Sequence, residues 1–274
     1  MKLFRAKTDE VVQRQPERSP LPELQFVRVG ALYRGARTGG DFFEFLKIGP
    51  SRLLVLMLDI AGKREQALGI AATVQDTLRQ LAPKMFTEED LNEADAVTNM
   101  MLELNRAIIS AAGGVRCSPG FFGCYNENLG ILSYINAGHT PALLKDPAGV
   151  STLEANGLPL GLFSHATHDS QMCALQDGAA LMLVSRGLIE IRGGREEFGL
   201  DRAKQVLHQA AAQDPQKLCS TMLDEVKSFV ENAPRFALSF KRGPSAANGD
   251  DVLGDNDVTT LAVVRQAAVK AAGA

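Results

Sequence analysis

The stretch Leu53-Leu54-Val55-Leu56-Met57-Leu58-Asp59-Ile60-Ala61-Gly62-Lys63 decides the fold. Its first six residues are apolar without a break, so the segment has no face to offer water. A strand with that pattern must be covered on both sides, inside a sandwich or under helices. The run then stops at an acid, and Gly62-Lys63 follows. Upstream, Phe42–Ile48 and Phe26–Tyr33 have strand character, and Gly49-Pro50-Ser51 supplies a turn between Phe42–Ile48 and the central run.

Two helical stretches come next. Residues 65–81 place Leu68, Ala71, Ala72, Gln75, Leu78 and Leu81 at helical spacing, and Pro83 is expected to end that helix. A second helix is expected to begin at Thr87, with acids in its first turn. Its stripe is Leu91, Ala94, Val97, Met101, Leu104 and Ile108, and Met100-Met101 read as core filling. Strands return at Phe121–Tyr125 and Gly130–Asn136, joined by an Asn126–Leu129 hairpin connection, then at 142–145, 171–175 and 179–184. Asp214-Pro215 caps a helix to about Glu231. Residues 234–257 read as a long loop and Val258–Val264 as a last strand. Strand runs interrupted by paired helices predict an α+β layered domain. The boundaries are a polar lead-in at 1–22, one domain at 23–266 and a tail at 267–274.

The chain has 274 residues, 45% apolar and 22% charged, with a net charge of −3. That composition gives no basic footprint for nucleic acid, and no apolar run approaches the ~20 residues of a membrane span. Cys117, Cys124, Cys173 and Cys219 form no C-x-x-C pair, which fits reduced thiols in a cytoplasmic protein.

Asp41, after Gly39-Gly40, and Asp59 both stand at the ends of strands. Carboxylates gathered at strand ends suit a hard divalent cation. The same residues also serve as ordinary turn formers or helix caps, and spacing alone does not choose. His139 reads as a loop-fixing residue, His165 and His168 as surface-loop residues.

Six segments in order, GGDFFEF, DIAGK, NAGHTPALL, GLPLGLF, SRGLIE and DVTTLAVV, resemble the metal-dependent PPM protein phosphatases. The resemblance is to the branch of sporulation stage II protein E and the bacterial regulators of sigma-factor partner switching, and it spans about Pro22 to Arg265. It implies a four-layer α-β-β-α sandwich with two antiparallel sheets between helices. It also implies two Mn²⁺ or Mg²⁺ ions, ~3.5–4 Å apart in such centres, that activate a water to hydrolyse phosphoserine or phosphothreonine. By that resemblance Asp41 and Asp59 are metal acids and the Ile60 carbonyl is a further ligand. The implied partner is a phosphorylated regulatory protein such as an anti-sigma-factor antagonist, and a homodimer through the helices at 65–110 is open. Relatives usually carry an upstream sensor; with about 22 residues ahead of the domain, input is expected from another protein, from dimerisation or from those helices.

The departures are as informative. The family's Thr-Asp-Gly is Ser185-Arg186-Gly187, and its final metal acid is Asn256. Glu44 stands for a family Asp, and Arg64 for a Gly. Asp255 and Asp257 flank Asn256, and neither is expected to replace it, since neighbours on an extended chain face opposite ways. Arg186 either pairs with the leftover acids, Asp59 first, or extends into solvent. Two functions follow: an active phosphatase, or a pseudophosphatase that regulates by binding. An unrelated ligand-binding α+β domain is the third, and it requires the motif order to be chance.

Overall fold

The computed structural model describes residues 14–34, 40–211, 213–233 and 257–266. Two five-stranded antiparallel sheets are stacked and flanked by helices, as the motif order implies. The first sheet is ordered β1-β12-β9-β6-β7, formed by Val27–Arg34, Val258–Arg265, Ala180–Val184, Ala142–Asp146 and Gly149–Leu153. The second is ordered β2-β3-β4-β5-β8, formed by Gly40–Ile48, Arg52–Ile60, Gly120–Asn126, Ile131–Ala137 and Gln171–Ala174. A short β10-β11 ribbon pairs Arg192–Gly193 with Glu196–Glu197.

The central run behaves as its pattern demands. On β3, Leu54, Leu56, Leu58 and Ile60 enter the core under the helices α1 (Arg64–Met85) and α2 (Glu93–Ala112). Leu53, Val55 and Met57 point the other way, into the core between the sheets. Each fully buried side chain of this kind contributes roughly 1.5–3 kcal/mol. On the far side, α5 (Pro215–Glu231), α4 (Gly199–Gln209) and the single turn α3 (Arg186–Ile189) cover the first sheet through Met182, Val184, Leu218, Met222 and Val226. The result is four layers around three apolar seams.

Several boundaries differ from expectation for identifiable reasons. Pro83 does not end α1; it lies within the last turn, and the helix continues to Met85. Its missing N–H removes one bond, while Ala82 and Phe86 on either side are wholly buried and hold the turn in place. The second helix starts at Glu93, not near Thr87. The Asn92 side chain accepts from the Ala94 and Asp95 amides, and Thr87–Leu91 is a connector. Arg52 fastens that connector, donating to the carbonyls of Phe86 (3.1 Å), Glu88 (2.7 Å) and Glu89 (3.1 Å) and pairing with Glu93 at 3.0 Å. His168 is buried rather than on a surface loop, with Nε2 at 2.8 Å from the Leu158 carbonyl. The loop expected at 234–257 lies outside the described residues except Asp257, as do residue 256 and the tail. The four cysteines are free thiols. No helix among the described residues is long and apolar enough to cross a membrane.

Candidate functional site

Strand alternation builds the site from the edge of the inter-sheet core. On β3 the inward series Leu53, Val55, Met57 continues to Asp59. On β2 the inward series Phe45, Phe43 leads back to Asp41, which stands directly opposite Asp59 in the β2–β3 register. The facing sheet does the same. Val29 and Ala31 lead to Tyr33, Leu181 and Leu183 lead to Ser185, and Val263 and Leu261 lead back to Thr259 and Asp257. At one edge, therefore, the inward-facing positions of β1, β2, β3, β9 and β12 turn from apolar to polar together.

One side-chain hydrogen bond ties the two sheets across this edge, and others brace the first sheet there. The Thr259 hydroxyl donates to Asp41 Oδ2 at 2.6 Å, and the Tyr33 hydroxyl donates to Asp257 Oδ1 at 3.1 Å. The Ser185 backbone N–H donates to the Thr259 carbonyl at 2.9 Å, and the Ser185 hydroxyl accepts from the Thr259 N–H at 3.0 Å. With its hydroxyl used across the sheet, Ser185 makes no side-chain cap for α3. Gly40 leaves room here: a Cβ on it would lie 3.0 Å from Asp257 Oδ2, a tight contact that the carboxylate would have to yield to.

Arg186 opens α3 immediately after β9, and its Nη2 lies 3.1 Å from Asp59 Oδ2. The guanidinium is 55% exposed and the carboxylate 17%, so the pair sits at the mouth of the cleft with its acid end inside. The cleft has a volume of about 110 Å³ and is lined by both acids, Arg186, Glu190, Asp257 and the backbone from Ile60 to Gly62. Asp257 thus faces the site, against the expectation for this position. The inward parity of β12, shared by residues 257, 259 and 261, sets its direction. Asn256 lies outside the described residues.

Electrostatics follow from this crowding. Burial, opposed by the Thr259 hydrogen bond and reinforced by the Asp59 and Asp257 carboxylates, raises the Asp41 pKa to about 7. Burial and the Asp257 carboxylate push Tyr33 up to about 12. Deeper in, His139 is buried and held neutral, its pKa lowered by desolvation. Its amide donates to Asn136 Oδ1 at 2.8 Å, and Nδ1 lies 3.0 Å from the Thr140 carbonyl, which fixes the loop between β5 and β6. Nδ1 then carries the ring proton, and Nε2 is a buried acceptor that no hydrogen bond from the described residues reaches.

The described donors do not by themselves make up a dinuclear metal centre. Among the described residues no group of three or more His, Cys, Asp or Glu is arranged to hold a metal ion. The cation already at Asp59 is covalently part of the chain.

The sequence profile of Stage II sporulation protein E (SpoIIE) matches residues 49–235. Protein IcfG of Synechocystis is 23% identical over 203 residues, 65% of this chain and 31% of that protein, so the chain spans about a third of the relative's length. Among solved structures, the RsbU and RsbW domains of Rv1364c from Mycobacterium tuberculosis superpose with a TM-score of 0.68 at 23% identity. That match covers 90% of this chain and 62% of the other. The PP2C phosphatase domain of SpoIIE from Bacillus subtilis, with a fragment of its regulatory domain, gives 0.64 at 17% identity over 89% and 64%. The likeness to both structures is one of fold, the PP2C sandwich. With the profile matched over more than half of its length and the four layers in place, the chain belongs to the SpoIIE family.

Proposed function

We propose that this domain is a pseudophosphatase of cytoplasmic partner-switching signalling. It binds a phosphorylatable regulatory protein, and metal-dependent hydrolysis of phosphoserine and phosphothreonine is lost. The observation that carries this reading is the 3.1 Å contact between Arg186 and Asp59. A half-exposed ion pair is itself worth only ~0.2–1 kcal/mol, so its strength is not what matters. The larger effect is the charge at position 186, where the family carries an acid. Exchange of a carboxylate for a guanidinium changes the local charge by two units. A dication at Asp59 would meet a repulsion of roughly 3–10 kcal/mol at effective dielectric constants between water and a protein surface. The partner class is supported by resemblance and by one similar chain that contains an RsbW domain beside its RsbU domain.

The test is hydrolysis of p-nitrophenyl phosphate and of a phosphoserine peptide with added Mn²⁺, beside a metal-free blank. The expected rate is that of the blank, and a phosphoprotein partner is expected to co-purify in the presence of chelator. Mn²⁺-dependent turnover abolished by Asp59→Asn would overturn the proposal. A second reading, slow hydrolysis with one ion, rests on the Asp41–Asp59 register pair, which is intact. The same assay detects it.

A further inference from the structure

Away from the cleft, on the helix side of β2, a different polar cluster is buried. Glu44 is 2% exposed and Gln75 of α1 is 2% exposed. A buried carboxylate is costly unless it is paired and hydrogen-bonded. Arg79 of α1 pairs with Glu44 at 3.2 Å, and the cluster is completed by the segment 14–22, Arg-Gln-Pro-Glu-Arg-Ser-Pro-Leu-Pro, which has neither helix nor strand. The Gln75 side-chain amide grips the backbone of Glu17 in both directions: the Glu17 N–H donates to Oε1 at 2.7 Å, and Nε2 donates to the Glu17 carbonyl at 2.8 Å. Nε2 also donates to Glu44 Oε2 at 2.8 Å. Arg79, one turn on, donates to the Glu17 carboxylate at 2.7 Å and to the Ser19 hydroxyl at 2.6 Å. The Ser19 hydroxyl donates in turn to Glu44 Oε1 at 2.5 Å.

A side-chain amide that reads both backbone groups of one residue, with charged groups for an acid and a hydroxyl two residues apart, is how a groove recognises a peptide. It is more specific than packing of a chain end requires. Pro16, Pro20 and Pro22 restrict the segment to extended conformations, which lowers the entropy lost on docking. The segment also walls a cavity of about 580 Å³ that continues past Leu68 and Ala71 of α1 and Phe43 to Tyr33 and Asp41.

We infer that the groove between α1 and β2 is a peptide-binding groove for an extended, proline-rich Glu-x-Ser segment, filled in cis by residues 14–22. That segment acts as a displaceable lid over the cavity leading to Asp41. The inference does not depend on whether the cleft hydrolyses phosphate.

The test uses the full chain and two substitutions that loosen the lid but leave Gln75, Arg79 and Glu44 in place. Glu17→Pro removes the N–H that Gln75 accepts from, together with the carboxylate that meets Arg79. Ser19→Glu sets a second carboxylate against Glu44. Amide exchange reports release of residues 14–22, and protection of β3 and β4 reports that the fold is kept. A fluorescent peptide of sequence RQPERSPLP, added in trans, is expected to bind both variants at least tenfold more tightly than the wild-type chain, whose groove is filled. The peptide RQPARAPLP is expected to bind neither. Wild-type exchange at 14–22 in both variants, equal binding of the two peptides, or no binding by either loosened chain would each overturn the inference.

Discussion

Arg186, at the end of β9 in one sheet, and Asp59, at the end of β3 in the other, meet at 3.1 Å across the open edge of the inter-sheet core. The contact joins the two layers where the apolar seam ends, and it gives position 186 the charge of a cation.

Reversing that charge is expected to restore affinity for a metal. With Arg186→Asp combined with Asn256→Asp, calorimetric titration with Mn²⁺ is expected to show at least a tenfold gain over the wild type, about 1.4 kcal/mol. Asp59→Asn in the same background is expected to remove the gain. An unchanged isotherm would show that these positions do not face a common ion.

Asp41 makes stability depend on pH in the direction opposite to an ordinary salt-bridged acid. Its pKa is about 7 in the folded chain against 3.8 for a free side chain. Between these values the folded state holds more protons than the unfolded state, so stability falls as pH rises from ~4 to ~7 and levels off above. At about 1.4 kcal/mol per pH unit the penalty is on the order of 2–4 kcal/mol. Asp41→Asn keeps an acceptor for the Thr259 hydroxyl and is expected to flatten this slope and to stabilise the protein at pH 8. Chemical denaturation at pH 5 and pH 8 measures both effects; an equal slope in the two proteins would assign the titration elsewhere.

Gly161 is expected to tolerate no side chain. Its φ is +79°, and an added Cβ would come within 1.9 Å of the Arg116 carbonyl oxygen. The Gly161 N–H also donates to the buried Asn105 Oδ1 at 2.7 Å, and Asn105 donates to the Phe163 carbonyl at 2.8 Å. Gly161→Ala must therefore strain the backbone, displace the 113–118 loop or break this link. The expected loss is roughly 2–4 kcal/mol, seen as a fall of several degrees in melting temperature. A melting temperature within a degree of wild type would contradict the close approach.

The layered fold was legible in the sequence because its strongest signals are its most buried parts. The double-faced run of β3, the stripes of α1 and α2, and the Asp214-Pro215 start of α5 each have one physical reading. β7 and α4 gave no comparable signal: Gly149–Leu153 is a short edge strand with one buried residue, and α4 buries only Ala203 and Leu207. Pro83 and Asn92 misplaced two helix boundaries, since tertiary burial of Phe86 outweighed the proline and a side-chain cap outweighed the acidic run. Within the site, the motif order identified Asp41, Asp59 and Arg186, and the geometry brings those three together. Asp257 was missed because its direction depends on the register of β12 against β1 and β9, which a single sequence does not reveal. The buried Glu44 was visible only as a substitution in a motif, and its partners, Gln75 and Arg79 of α1 and Ser19 of the lead-in segment, come from distant parts of the sequence.

The pairing of β1 with β12 has a mechanical consequence. Val27 stands opposite Arg265, and the Gln266 N–H donates to the Phe26 carbonyl at 2.7 Å, so the polypeptide enters and leaves the sandwich side by side. In an antiparallel ladder the bonds run across the strands. Tension drawn apart at these two points would load the rungs one after another, as in a zipper, instead of all at once in shear. Pulling on the flanking polypeptide would then peel β1 from the sheet at low force, advancing along the strand toward Tyr33.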